Sequence, residues 1–192
     1  MMPIHHKTGT DVKKRKRKTP PFPAISTPLM RGVVEEVQHL EGVTSIEEET
    51  MNMSEILPKM LFLGDLGNAN SLSTSNPHNI ECVVTVGVGL EVNETAGITY
   101  HKIEIEDSPD AEIDAAFSSA SSIIRRSLEK GKSVLVHCQR GISRSATIVI
   151  AYLMESRHFR DLETCYATVQ SQRPVINPNL GFSIWLEGKY KK

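Results

Sequence analysis

Residues 134–154 constrain the fold of this chain more than any other stretch. Val134-Leu135-Val136 is a short apolar run without polar alternation, the composition of a strand buried on both faces. A polar loop containing Gly141 follows. Beyond it, Ala146 to Met154 is apolar nearly all round, as a helix enclosed by its neighbours must be. A buried strand feeding a buried helix needs layers on both sides, which points to an α/β fold. The rest of the pattern agrees. Leu61-Phe62-Leu63 reads as a strand ending at Gly64, and Cys82-Val83-Val84-Thr85-Val86 as a buried strand ending at Gly87. Ile98 to Ile105 alternates like a strand with one face covered. Ile113, Phe117, Ala120, Ile124 and Leu128 step by three or four, which predicts a helix over 111–130 stopped by Gly131. Two further helices are expected near 161–172 and 179–189, separated by Pro174 and Pro178. Strands alternating with helices predict a mostly parallel central sheet flanked by helices on both faces.

This pattern begins at about Ser54, so residues 54–192 are expected to form the folded domain of the 192-residue chain. The net charge of −1 hides a split: residues 1–31 carry +7 and the rest −8. Residues 1–31 form a basic, proline-rich arm whose run Lys13-Lys14-Arg15-Lys16-Arg17-Lys18 repels itself and buries nothing, so disorder is expected there. A solvated tail, a nuclear-import signal and a docking element all remain open for it. Residues 32–53 are a linker or a short helix, with helical spacing at Val33, Val34, Val37 and Leu40 and a capping-box pattern from Thr44 to Glu47.

The balanced charge excludes a strongly basic nucleic-acid binder, and no nucleic-acid partner is expected. No stretch approaches the roughly 18 apolar residues of a membrane helix, and the N-terminus lacks the apolar core of a signal peptide, so no membrane association is expected. Three cysteines, Cys82, Cys138 and Cys165, are too few and odd in number for a disulfide scaffold. A reducing compartment follows, cytoplasmic and/or nuclear. No His/Cys cluster has zinc spacing, so neither metal nor cofactor is expected.

The chemistry concentrates in His137-Cys138-Gln139-Arg140-Gly141-Ile142-Ser143-Arg144-Ser145. A His-Cys pair followed at these spacings by Gly, Arg and Ser/Thr is expected by chance in roughly 6 of 100,000 chains of this composition. Five residues between Cys138 and Arg144 can curl so that their backbone N–H groups converge, and the helix starting near Arg144 adds its positive end. Such a cradle suits a tetrahedral dianion. The same field favours thiolate over thiol, making Cys138 a nucleophile. Arg144 can grip two phosphoryl oxygens at once, and Gly141 permits the tight curvature.

This segment resembles the signature of the cysteine-dependent protein tyrosine phosphatases, and its Ile142-Ser143-Arg144-Ser145 ending is most similar to the dual-specificity subgroup, which includes the mitogen-activated-protein-kinase phosphatases. The resemblance covers about residues 54–188. It also rests on Leu61-Phe62-Leu63-Gly64 with Ala69, Ile105-Glu106-Asp107-Ser108-Pro109, Ala151-Tyr152-Leu153-Met154, Arg173-Pro174, Pro178-Asn179 and Gly181-Phe182. It implies that Cys138 attacks phosphorus to form a phosphocysteine while Arg144 binds the phosphate and stabilises the transition state. Gln139, Arg140, Gly141, Ile142 and Ser143 would complete the phosphate cradle. Asp107, 31 residues before Cys138, would protonate the leaving hydroxyl and then activate water, with Glu104, Glu106 and Asp110 as competitors in the same segment. Ser145 would hydrogen-bond the cysteine sulfur as it leaves. His137 would orient the loop, and Asn179 would brace it.

The implied function is a dual-specificity protein phosphatase acting on phosphoproteins, mitogen-activated protein kinases among the candidates. Two alternatives stay open: a phosphate-binding pseudoenzyme, and a phosphatase of phosphoinositide, inositol phosphate or RNA 5′-phosphate. Arg140 departs from the Ala or Glu of many relatives and adds a cation at the rim. Lipid-directed relatives often carry Lys in the loop, where Gln139 and Ile142 stand here. Cys82 reads as a core residue, or as a disulfide partner protecting Cys138. Cys165, Tyr152, Phe182 and Trp185 read as packing residues. Arg125-Arg126, near a helix end, suits the helix dipole or forms a partner patch.

Overall fold

The computed structural model describes residues 53–191. Its elements run β1 (Ser54–Leu57), β2 (Leu61–Gly64), α1 (Leu66–Ser71), β3 (Ile80–Val86), β4 (Thr99–Ile103), α2 (Ile113–Glu129), β5 (Ser133–His137), α3 (Arg144–Glu155), α4 (Leu162–Gln172) and α5 (Leu180–Tyr190). The five strands form one sheet in the order β1-β2-β5-β3-β4. All neighbours are parallel except β1 and β2, so the expected mostly parallel sheet is present. The basic run, the helical spacing at 33–40 and the Thr44–Glu47 pattern lie outside the described residues.

The alternation of side chains along the strands divides the core in two. Leu61, Leu63, Val84, Val86, Val134 and Val136 face the larger layer, built from α2, α3, α4 and α5. Phe62, Val83 and Leu135 face the opposite way, onto Ala69 and Leu72 and the partly buried Val92, Ile98 and Tyr100. That second face is covered by the short α1 and by irregular chain. Helix α3 lies at the centre, buried from Ser145 to Met154 and packed on the sheet, α2, α4 and α5. This accounts for its lack of a polar stripe.

The register also decides the fate of Cys82. Cys82 is level with Val134 and Thr85 with His137. Cys138 therefore lies about four residues further along the sheet, about 13 Å at 3.3 Å per residue. A disulfide needs Cα atoms within about 7 Å, so the alternative of Cys82 as the protective partner of Cys138 is corrected. Cys82 is 1% exposed within the core, and burial pushes its thiol up despite a hydrogen bond with Ser127 and the charge of Lys132.

Candidate active site

In a parallel sheet, loops leaving the carboxyl ends of the strands converge on one edge. Here β5 delivers Cys138 and its loop, β3 delivers Gly87, the segment after β4 delivers Asp107, and β2 delivers Asp65. A pocket of about 380 Å³ opens at this edge, lined by Cys138, Arg140, Ser143, Arg144, Asp107 and Asn179 together with Gln139, Ile142 and Asn177.

Cys138 forms the base, 1% exposed. Burial pushes its thiol up, but four hydrogen bonds outweigh burial: the Ser145 hydroxyl and the backbone N–H groups of Ser145, Ile142 and Arg140. The thiol is left below its ordinary range, as an anion cradle requires. Ser145 Oγ donates to the sulfur at 3.2 Å. Ser145→Ala removes the strongest of these donors, so the pH midpoint of Cys138 alkylation by iodoacetamide should move upward, toward the free-thiol value.

Gly141 has φ +65 and its carbonyl accepts from Arg173 Nε at 2.8 Å. A Cβ at Gly141 would collide with the Gly64 carbonyl. Gly141→Ala should therefore destabilise the fold by about 2 kcal/mol or more, measured by urea unfolding. Arg173 also donates to the Arg140 carbonyl at 3.3 Å and pairs with Asp65 at 3.4 Å, so a nearly buried guanidinium braces the loop from below. The Arg140 and Gln139 side chains are exposed at the rim.

Arg144 opens α3 and reaches back across the pocket. Its Nη1 donates to the Ile105 carbonyl at 3.4 Å and lies so close to Gly87 that a Cβ there would collide with it. Its Nε is buried without a hydrogen-bond partner among the described residues, 3.7 Å from Asp107 Oδ2. A guanidinium beside a thiol cradle suits an oxyanion.

Asp107 is the acidic residue lining the pocket; Glu104, Glu106 and Asp110 are exposed and do not line it. Ser143 Oγ donates to Asp107 Oδ1 at 2.6 Å, and Asn179 Nδ2 donates to the same oxygen at 2.9 Å. The Asn179 backbone N–H in turn donates to Ser143 Oγ at 3.0 Å. Both side-chain donors therefore occupy Oδ1, and Oδ2 is turned toward Arg144. Asn179 also caps α5, its Oδ1 accepting from the Phe182 N–H at 3.0 Å. The Ser143 carboxylate contact, the brace from Arg173 and Asp65, and the lining residue Asn177 were not assigned from the sequence. Asn177 N–H donates to the Ile142 carbonyl at 2.9 Å, fastening the loop on its far side.

His137 is fully buried, with Nε2 at 2.8 Å from Thr85 Oγ1 and Nδ1 at 3.3 Å from the Cys138 carbonyl. Burial lowers its pKa to about 4, with the Cys138 carbonyl and Asp65 opposing. Between pH 4 and 6.5 the unfolded chain thus binds a proton at His137 that the folded chain refuses. This stability is fully present above pH 6.5 and is lost as pH falls toward 4, a change on the order of 3 kcal/mol. Urea midpoints should fall over that window, and less steeply for His137→Gln.

The family model described as dual specificity phosphatase, catalytic domain, matches residues 61–192. Human dual specificity protein phosphatase 2 is 41% identical over 128 residues, covering 67% of this chain and 40% of that protein. Arabidopsis thaliana dual specificity protein phosphatase 1B is 34% identical over 154 residues, covering 78% of this chain and 91% of that one. The crystal structure of human tyrosine phosphatase-like serine/threonine/tyrosine-interacting protein superposes with a TM-score of 0.65 at 35% identity, covering 71% of this chain and 94% of that one. The chain spans less than half the length of the human relative.

Proposed function

The chain belongs to the dual specificity phosphatase catalytic-domain family, and on that premise we propose that it hydrolyses phosphotyrosine and phosphoserine/threonine on protein substrates through a phosphocysteine at Cys138. The observation that carries this reading is the alignment of three groups around one pocket. A sulfur held by one hydroxyl and three amides lies at the base, the Arg144 guanidinium on one wall, and Asp107 Oδ2 3.7 Å from its Nε.

In the first step the Cys138 thiolate attacks phosphorus and the P–O ester bond breaks. Asp107 gives its proton to the departing oxygen, while Arg144 and the loop amides hold the charge of the equatorial oxygens. In the second step Asp107 takes a proton from water as the water attacks phosphorus. The S–P bond breaks, inorganic phosphate forms, and Ser145 donates to the returning thiolate.

Phosphate release from a peptide carrying phosphothreonine and phosphotyrosine one residue apart tests the proposal, with chelator and reductant present. Removal of both phosphates is expected. Release from neither, with binding retained, would leave a phosphate-binding module instead. Mitogen-activated protein kinases are the finer proposal for substrate, and the intact doubly phosphorylated kinase tests it.

A further inference from the structure

A second cleft of about 430 Å³ lies on the larger helical layer, lined by Ser121, Ser122, Arg125 and Arg126 of α2, Glu155 at the end of α3 and Lys189 near the end of α5, with Phe117 and Ser118 completing its wall. It shares no lining residue with the catalytic pocket. Helix α5 measures the separation. Its cap Asn179 touches Asp107, and Lys189 follows ten residues on, about 15 Å at 1.5 Å per residue.

The lining is rich in donors and poor in acceptors. Arg and Lys offer only donors, and three of them face a single lining carboxylate. The pairs that exist are loose. Arg125 lies 3.9 Å from Glu155 with both side chains about half exposed, and Lys189 lies 3.5 Å from Asp114, which is 71% exposed. Such contacts contribute little and exchange readily for a better partner. Arg126 has no carboxylate within ion-pair distance among the described residues; its guanidinium contacts Ser122 Oγ. Lys189 is held at the cleft by the rings of Phe117 and Trp185, its Nζ 4.8 Å from each centroid.

The decisive group is Ser121. It is 4% exposed, and its Oγ is buried with no hydrogen-bond partner among the described residues. A buried hydroxyl left unpaired costs free energy that a ligand oxygen would recover. A buried hydroxyl in the lining, two guanidinium forks and an ammonium match a ligand with several acceptor oxygens and two negative charges better than a single carboxylate.

We propose that this cleft binds the phosphoryl group of a phosphorylated side chain other than the one presented to Cys138. An extended peptide covers about 15 Å, the length of α5 between Asn179 and Lys189, in about five residues. Binding here stands independently of turnover at Cys138.

The test is a residue-resolved NMR titration of the full chain with inorganic phosphate, ionic strength being held constant with chloride. Signals of 121–126 and Lys189 should shift saturably, as a set separate from those of 138–144. In the Arg125→Gln/Arg126→Gln chain the affinity read at the first set should fall about tenfold or more while that at 138–144 is unchanged. Ser121→Ala, a smaller change that leaves the surface charge intact, should weaken the same set. A peptide bearing a phosphonate analogue of phosphoserine should bind there more tightly than its glutamate counterpart. Absence of saturable shifts, affinity unaltered in the double variant, or equal binding of the glutamate peptide would overturn the proposal.

Discussion

Cys138→Ser is expected to reduce phosphate release by roughly 10⁴-fold or more while leaving the fold and phosphopeptide binding intact. The cradle is built from backbone amides and Arg144, none of which the substitution touches. What changes is the nucleophile. The hydrogen bonds of the loop hold the Cys138 thiol below its ordinary range, which favours the thiolate over the thiol. A serine hydroxyl starts so much further from ionisation that the same four donors cannot generate an alkoxide. The serine chain should therefore retain doubly phosphorylated peptide without consuming it, as isothermal titration would register. Loss of binding along with turnover would mean that the sulfur itself organises the loop.

Asp107→Asn should cost about 10²- to 10⁴-fold, with the size depending on the leaving group. Asparagine can keep the contacts of Asp107 Oδ1 with Ser143 Oγ and Asn179 Nδ2, through its own carbonyl oxygen. It cannot give up or accept a proton toward the pocket. The loss should be greatest for phosphoserine peptides, whose departing alkoxide needs the proton most, smaller for phosphotyrosine, and smallest for an aryl phosphate with an acidic phenol. A loss independent of the leaving group would assign Asp107 to positioning alone. With an aryl phosphate whose acidic phenol departs without the proton, formation outruns the slowed second step, so the variant should accumulate the phosphocysteine.

Elements whose burial imposes a single period were legible in the sequence. The β5 run Val134 to Val136 and the nearly all-apolar Ala146 to Met154 of α3 carried their placement in composition, and α2 carried its own in the stepping of Ile113, Phe117, Ala120, Ile124 and Leu128. Two elements were not legible. Strand β1 has Ser54 and Glu55 ahead of Ile56 and Leu57, so it lacks the apolar run that marks the equally short β2. Helix α1, Leu66–Ser71, contains Gly67 and two asparagines and has little intrinsic propensity. It exists because Asp65 and Asn68 exchange side-chain-to-backbone hydrogen bonds at 2.9 and 3.0 Å and because Ala69 and Leu72 are buried against Phe62 and Leu135.

The same division runs through the site. Residues contiguous with Cys138 could be assigned from one stretch of chain. The clamp on Asp107 could not, since Ser143 lies 36 residues away and Asn179 lies 72. Nor could the brace from Arg173 to Asp65, 108 residues apart, because pairing across the sheet edge is decided by strand order. Asn179 could be read as a brace from resemblance, but its simultaneous grip on Ser143, Asp107 and the α5 N-terminus is a property of the assembled edge.

The central claim is that phosphate passes through the sulfur of Cys138. Intact-mass and peptide mass spectrometry on Asp107→Asn, acid-quenched during turnover of an aryl phosphate with an acidic phenol, tests it directly. One phosphoryl group on the peptide containing Cys138, absent in the Asp107→Asn/Cys138→Ser chain, is the predicted result. Continued phosphate release with no adduct, or an adduct on another residue, would contradict the account.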